Sequence, residues 1–351
     1  FDNSLFEGLP GVFNDSLPDG WGRLLFDCFT ITQHILPTEI TPLDRLAFIG
    51  KSGMGALVFE PERRIEQVHE AINLDSISQQ AQQVFDGHTE DGVEELLSLN
   101  GSASGARSKA LIGVSEDRKQ VIHGSLPLKD GFEPWLVKFS TRMDGQDSGA
   151  IEYVYALMAK DAGIEMADVH LFTAQQGSGY FAAKRFDREG GKRLHMHTAC
   201  GLLHADYRLP SLDYKDLIGL TSIMTRDTQE IEKMYRLAVF NVLAHNRDDH
   251  AKNFSFLMDE KGQWKLSPAY DLTFSSGPGG EQSTMVMGEG KNPGIEHLIK
   301  LGLEAKIPKA RINEIIEQTR SALAAWPIRA KQYGVSDDKI RLIAERLGVR
   351  S

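Results

Sequence analysis

Cysteine is nearly missing from this sequence. Cys28 and Cys200 are the two present in 351 residues, and they lie far apart. That disfavours a disulfide framework and points to a reducing, cytoplasmic setting. Long apolar runs are also missing: none approaches the ~18 residues of a spanning helix. The first residues lack a signal-peptide pattern, so no membrane partner is expected. No long basic run occurs. The 39 Lys and Arg face 49 Asp and Glu, for a formal charge of -10 and a pI near 5.6. A broad grip on nucleic acid by this chain alone is therefore not expected. No period of roughly 20 to 50 residues recurs, which disfavours a solenoid or propeller. What remains is ordinary globular composition, 41% hydrophobic and 25% charged. The length suits two domains or lobes. A chain this long buries about 75% of its unfolded surface and needs no metal or disulfide staple to fold. It starts at Phe1 rather than Met, so the expectation is a processed or trimmed chain or one that lacks preceding residues.

The texture changes along the chain. Residues 1–60 are rich in Gly, Pro and turn signals. Ser16 to Gly22 reads as a turn entering a helix from Arg23 to Cys28, Pro42 to Ile49 as a short helix, and Gly55 to Phe59 as a strand. Residues 63–98 read as helices broken at Gly87. The middle is strand-rich, with runs at 110–114, 120–123, 135–140, 169–174 and 180–185. One helix, Ser148 to Ala162, interrupts them. Asp227 is an N-cap for a long helix to about His245, with Ile231, Met234, Ala238 and Val242 as its buried stripe. Two short strands follow, at 254–257 and 264–266, and residues 294–348 read as three helices. The fold class expected is α+β: a bilobal arrangement with an N-terminal mixed-sheet lobe, a C-terminal helical lobe and a cleft between them. The divisions are 1–100, 101–190 and 191–351.

The strongest local signal is Asn246-Arg247-Asp248-Asp249-His250-Ala251-Lys252-Asn253. It packs two carboxylates, a histidine, a lysine and an amide between a helix and a strand. Apolar residues flank it on both sides, which argues against a casual solvated turn. Asp248 and Asn253 are five apart, the spacing of the catalytic Asp and metal-binding Asn of protein kinases. One carboxylate must orient the hydroxyl that attacks. Five residues on, an amide oxygen must hold Mg²⁺ on the phosphates. A second metal-binding carboxylate should follow on a hairpin, and Asp271 in Pro268-Ala269-Tyr270-Asp271-Leu272 supplies it; alone it reads as a turn aspartate. Lys138, a charge inside the apolar strand 135–139, is the candidate to reach the phosphates, and Glu152 on the next helix is its candidate partner. Gly101 to Lys109 is small, polar and basic, so its backbone N–H groups can approach an anion. It is neither a Walker A motif nor a G-x-G-x-x-G loop.

The parts and their order resemble the HipA-type serine/threonine kinases, the toxins of bacterial type II toxin–antitoxin systems. The resemblance rests on Gly105-Ala106 with Lys109, on Lys138, on Arg185-Phe186-Asp187-Arg188, on Asp248-x-His250-x-Lys252-Asn253-Phe254-Ser255 and on Tyr270-Asp271. Leu17 to Gly22 and Ile49-Gly50-x-x-Gly53-Met54-Gly55-Ala56 fit the family's N-terminal region. The likeness covers nearly the whole chain.

It implies a protein kinase using ATP and Mg²⁺. Asp248 would be the catalytic group, and Asn253 and Asp271 would hold the metal. Lys138 would contact the α- and β-phosphates. Lys184, Arg185 and Phe186 would form the hinge that meets adenine. His250, Lys252 and Tyr270 would line the nucleotide site, with Ser104, Gly105, Ala106, Arg107, Ser108 and Lys109 over the phosphates. Ser102 falls where the family phosphorylates its own loop to inactivate itself, with Ser104 as the second candidate. Asp249 stands where relatives often have a small residue; it would weaken phosphate binding unless it points away or binds metal.

The implied partners are a helix-turn-helix antitoxin that carries the DNA contacts, and a protein substrate such as an aminoacyl-tRNA synthetase. A longer N-terminal subdomain is implied too, in some relatives a separate small protein. A small-molecule or lipid kinase of similar build stays open, as does a silent partner in a repressor complex. The intact set Lys138, Asp248, Asn253 and Asp271 argues against silence. His195, His197, Cys200 and His204 fit no zinc spacing and read as packing or surface residues.

Overall fold

Thr41 and Asp44 cap each other at the start of one helix. The Thr41 hydroxyl accepts the Asp44 N–H, and the Asp44 carboxylate accepts the Thr41 N–H. Pro42, which has no N–H to satisfy, takes the first helical position, so the helix Pro42–Ile49 starts where expected. Asp227 likewise accepts the Gln229 N–H and opens the helix Thr228–Leu243. The computed structural model describes residues 5–350 apart from 64–69, 89–91, 101–104, 125–126 and 143–144. Contacts divide the chain into two units. One, the sheet unit, holds residues 6–149 and 168–195; the other, the helical unit, holds 1–5, 150–167 and 196–351.

The sheet unit is built on five strands: β1 (Lys109–Ser115), β2 (Val121–His123), β3 (Phe132–Lys138), β4 (Val169–Phe172) and β5 (Tyr180–Lys184). Their order is β2-β1-β3-β5-β4. Every pairing is antiparallel, so the expected mixed sheet is not mixed: β5 doubles back from β4 and inserts beside β3. Helices Gly20–Thr32, Leu74–Phe85 and Val93–Asn100 supply one apolar cluster with the sheet, including Trp21, Leu25, Ile77, Leu96, Trp135 and Val137. The strand expected at 55–59 does not form. The carbonyls of Gly55 and Leu57 accept from the guanidinium of Arg193 instead of from a neighbouring strand.

The helical unit packs the helix Thr228–Leu243 against Tyr214–Thr225, Ile295–Glu304 and Lys309–Leu323. A three-stranded sheet joins His195–Thr198, Ser255–Met258 and Trp264–Leu266 in the order 264–266, 255–258, 195–198. Tyr155, Tyr214, Tyr235, Phe240 and Trp326 are among its largest buried side chains. The three helices expected after 294 are four: Ile295–Glu304, Lys309–Leu323, Trp326–Gln332 and Asp337–Leu347. Pro327 sits in the first turn of the short third one, where a missing N–H costs nothing. Cys28 and Cys200 are both buried, and neither is in a disulfide. No helix among the described residues is long and apolar enough to cross a membrane.

Candidate functional site

The helix Thr228–Leu243 ends in a sharp reversal. Ala244 caps it, Tyr155 donates to the Ala244 carbonyl at 2.8 Å, and His245 turns left-handed at φ 54°. The loop that follows is then pinned rather than loose. The Asn246 N–H donates to Asn241 O at 2.9 Å, and Asn246 Nδ2 donates to Asn241 Oδ1 at 3.0 Å. Arg247 and Asp249 bracket Asp248, which is exposed while Asp249 is fully buried. A single turn of 3₁₀ helix, Ala251–Asn253, leads into the strand Ser255–Met258.

That turn brings Asn253 back onto Asp248. Asn253 Nδ2 donates to the Asp248 carbonyl at 2.7 Å, which leaves the carboxamide oxygen as the atom Asn253 presents. The hairpin formed by Ser255–Met258 and Trp264–Leu266 returns the chain to Tyr270 and Asp271. The Tyr270 hydroxyl donates to the Lys252 carbonyl at 2.6 Å and lies 2.6 Å from Ser255 Oγ. Asp271 is held at φ 57°, a region that costs non-glycine residues energy and that clusters at functional sites. Asp248, Asn253, Tyr270 and Asp271 are thus set by one helix end and one hairpin of the helical unit.

His250 and Lys252 meet a residue the sequence reading missed. Lys252 Nζ lies 4.3 Å from the centre of the Tyr207 ring, and that ring stands edge-on to His250 at 5.4 Å. A cation over an aromatic face is attracted to it, so Tyr207 steers the buried Lys252 ammonium. Nothing local flags Tyr207, an aromatic in a loop 43 positions before His250. Nδ1 of His250 is buried and makes no hydrogen bond among the described residues. That is the kind of orphaned group a bound polar ligand satisfies.

Asp249 resolves the question its position raised: it points away from the exposed face of the loop. Its carboxylate accepts from Tyr214 Oη at 2.6 Å, Gln282 Nε2 at 2.9 Å and the N–H groups of Ser283 and Thr284 at 3.1 Å each. Burial pushes this carboxyl up to about 7, against the pull of those donors.

The other candidates belong to the sheet unit. Lys109 and Lys138 are direct cross-strand partners on β1 and β3, so both ammonium groups lie on one sheet face. Lys138 Nζ lies 5.8 Å from the Phe181 ring centre, and Lys109 is 5% exposed. Gly105, Ala106, Arg107 and Ser108 lead into β1. The Gly105 N–H donates to Asp19 Oδ1 at 2.6 Å, and its carbonyl accepts from the Trp21 N–H at 3.0 Å. The expected modification sites Ser102 and Ser104 lie outside the described residues. At the expected hinge, Lys184 Nζ pairs with Glu133 at 2.6 Å, and the N–H groups of Lys184 and Arg185 are donated to Asp168 and Pro134. Phe186 is half-buried. Glu152 is buried on the helix Ser148–Asp161, in the part belonging to the helical unit.

Arg185 and Arg188 are not surface cations. Both clamp the fully buried Asp187, at 2.8 and 2.6 Å, and both donate to the Gly53 carbonyl, while the Gly55 N–H donates to Asp187 Oδ2. Two stretches of sequence noted separately, 49–56 and 185–188, are therefore one hydrogen-bonded knot.

Family models match most of the chain. Residues 101–326 match the HipA-like C-terminal domain, and residues 2–60 match the HipA N-terminal domain. Among curated proteins, the "Putative kinase Y4dM" of Sinorhizobium fredii is 27% identical over 163 residues, covering 42% of this chain and 39% of that protein. The "Putative kinase Y4mE" of the same organism is 25% identical over 189 residues, covering 48% and 44%. The chain thus matches less than half the length of either relative. Among solved structures, the HipA, HipB and operator DNA complex of the Shewanella oneidensis MR-1 toxin–antitoxin system superposes with a TM-score of 0.70 at 17% identity, covering 97% of this chain and 83% of that one. That likeness fixes the fold.

Proposed function

The chain belongs to the HipA family, and from that premise we propose that it is an ATP-dependent protein serine/threonine kinase acting as a growth-arresting toxin. The observation that carries the reading is the pairing of Asp248 with Asn253. Asp248 is exposed, and Asn253 spends its amide nitrogen on the Asp248 backbone so that its oxygen is presented. A kinase needs that division of labour: a carboxylate for the acceptor hydroxyl, an amide oxygen for the metal. Asp271, fixed in a strained backbone, is the second carboxylate of the set.

The residues fit Mg²⁺ and ATP. Asn253 and Asp271 offer oxygen donors, which is what Mg²⁺ takes. When bound, the metal would neutralise charge on the phosphates. The orphaned His250 Nδ1, the ring-steered Lys252 and the cross-strand pair Lys109 and Lys138 suit a polyanion. Lys138 contacts the α- and β-phosphates in this reading, and Gly105 to Ser108 cover them. Lys184, Arg185 and Phe186 form the hinge beside adenine, while the Arg185 side chain holds the hinge to Gly53. Asp248 orients a serine hydroxyl of the substrate and takes its proton. Catalysis is then positioning plus electrostatics.

Three further parts belong to the proposal. Phosphorylation of Ser102, with Ser104 second, inactivates the enzyme by adding about -1.5 to -2 charges beside the nucleotide's own phosphates. A helix-turn-helix antitoxin encoded alongside carries the DNA contacts. The protein substrate is translation-related, such as an aminoacyl-tRNA synthetase. The division into 1–100, 101–190 and 191–351 assigns these ranges to an N-terminal subdomain, a nucleotide lobe and a catalytic lobe. The test is phosphoproteomics in cells after induction of the wild type and of Asp248→Asn. New phosphoserine on a cellular protein and on the 101–109 loop, present only with the wild type, supports the reading. Equal phosphorylation by Asp248→Asn sinks it.

A further inference from the structure

In protein kinases the segment after the second metal-binding Asp carries an activating phosphosite, and a phosphate there orders the loop through arginine pairs. In this chain that segment runs from Leu272 toward the helix Ile295–Glu304, and it is already stitched to the catalytic loop. The Ser275 N–H donates to His245 O at 3.1 Å, and the Arg247 N–H donates to Ser275 O at 3.4 Å. The Ser283 N–H and hydroxyl both donate to Arg247 O, at 3.1 and 2.9 Å. The Arg247 guanidinium, the group a phosphate would otherwise recruit, donates to the Gly280 carbonyl. Gly277, at φ 70°, lets the turn close: a methyl there would run into Glu281 O and would meet Arg247 Cβ at 2.6 Å.

The strongest tie is Asp249. Two of its four donors are consecutive backbone N–H groups of this segment, Ser283 and Thr284, and a third is the side chain of Gln282. The Thr284 hydroxyl donates back to the Asp249 carbonyl, and Gln282 Nε2 also reaches Asn246 O at 3.3 Å. Tyr214 completes the set and is itself fixed by Asn241 Nδ2 at 2.8 Å. Both neighbours of Asp248 are thus bonded to the segment, while Asp248 stays exposed between them.

We propose that Asp249 is a positioning residue for phosphoryl transfer: it holds residues 282–284 against the catalytic loop and so aims Asp248 without any covalent modification of the segment 272–293. This rests on the kinase reading above. Asp249 touches neither nucleotide nor acceptor. It acts through the backbone on either side of Asp248, so its loss should slow the chemical step and leave nucleotide binding alone.

The experiment uses MgATP as its probe and reads initial rates of ADP release and of radiolabel transfer onto the chain itself. Asp249→Ala should lower kcat on the order of 10²-fold, the scale of a misplaced catalytic group, with KM for MgATP little changed. Asp249→Asn should retain activity within about tenfold of wild type, because its oxygen still accepts the two backbone N–H groups while Tyr214 and Gln282 turn to accept from its amide. If Asp249→Ala does not fold, Gln282→Ala carries the test, with a smaller kcat loss and the same unchanged KM. Mass spectrometry of the active wild type should find the segment unmodified, and phosphatase treatment should not reduce its rate through any site in 272–293. Full kcat in Asp249→Ala or Gln282→Ala overturns the proposal, as does an activating phosphate in the segment. A wild type that releases no ADP overturns the kinase reading and the positioning role with it, an outcome distinct from an active wild type with active variants.

Discussion

Asp187 in the sheet unit and Asp249 in the helical unit are both wholly buried, yet their surroundings set opposite charge behaviour. Burial pushes both carboxyls up. Around Asp187 the guanidiniums of Arg185 and Arg188 more than reverse that push and hold it well below the usual range. Around Asp249 the donors among the described residues are neutral: a phenol, an amide and two backbone N–H groups. They temper the effect of burial without overcoming it, and the group is left raised. Four hydrogen bonds can fill the acceptor sites of a carboxylate, but they do not substitute for a full opposite charge. Asp187 is an ionic knot that fastens backbone, whereas Asp249 is a neutral-donor anchor that aims a loop.

The largest break in this comparison is Asp187→Ala. It leaves two nearly buried guanidiniums, 2% and 6% exposed, facing each other without their anion. Loss of about 3–5 kcal/mol is expected, the usual cost of removing one partner of a buried pair, read as a drop in urea midpoint. A loss below about 1 kcal/mol would mean that water reaches the arginines.

pH separates the two groups by sign. Asp187, depressed when folded to about 2, contributes stability that is fully present above its ordinary 3.8 and lost as pH falls through the folded value. Asp249, raised to about 7, does the reverse: its contribution is complete below 3.8 and is lost as pH rises through the folded value. Urea midpoints measured from pH 2 to 8 should show both slopes. Asp249→Asn should flatten the second and leave the first; an unchanged second slope would remove Asp249 as its source.

Tyr214→Phe sharpens the contrast. It withdraws one donor from Asp249 and leaves Asn241 Nδ2 without the phenol oxygen it binds. Destabilisation of about 1–3 kcal/mol is expected, and the Asp249 slope should move to higher pH, since Tyr214 is among the groups lowering its pKa. The smallest effect is that of Asp249→Asn on stability at pH 7, within about 1 kcal/mol. A cost as large as that of Asp187→Ala would show that the two sites do not differ in kind.

Much of the fold was legible because its signals are local. Thr41-Pro42-x-Asp44 writes a helix start in four residues, and Asp227 does the same with one. Residues 55–59 have the composition of a strand, and the reason they do not form one is an arginine 136 positions from Leu57. The break after Leu323 was hidden because two helices meet there with only a two-residue joint. At the candidate site, Asp248 and Asn253 were readable from a five-residue spacing that a single turn of 3₁₀ helix makes meaningful. Asp249 was not, because three of its four donors lie 33 to 35 residues downstream, the fourth, Tyr214, lies 35 upstream, and two of them are backbone groups, which carry no side-chain signature. Tyr207 was missed for the same reason: its role is defined by what it touches.

The close approach of Gly20 to Gly105 has a bearing on how such chains can be recombined. A methyl on Gly20 would meet the Gly105 carbonyl oxygen at 2.6 Å and its carbon at 2.7 Å, so two backbones touch where neither residue has a side chain. One glycine lies in the stretch matched by the N-terminal family model and the other in the stretch matched by the C-terminal one. At this point the border between those modules is therefore main chain resting on main chain, with Asp19 and Trp21 supplying the hydrogen bonds across it; at Gly53 to Leu57 the same border is held by the side chains of Arg185, Asp187, Arg188 and Arg193. A chimera joining the front of one relative to the back of another has to carry both parts of this seam. Its compatibility depends on bare backbone at Gly20 and Gly105 and on the arginine and aspartate contacts to residues 53–57, a few positions rather than overall sequence similarity between the parents.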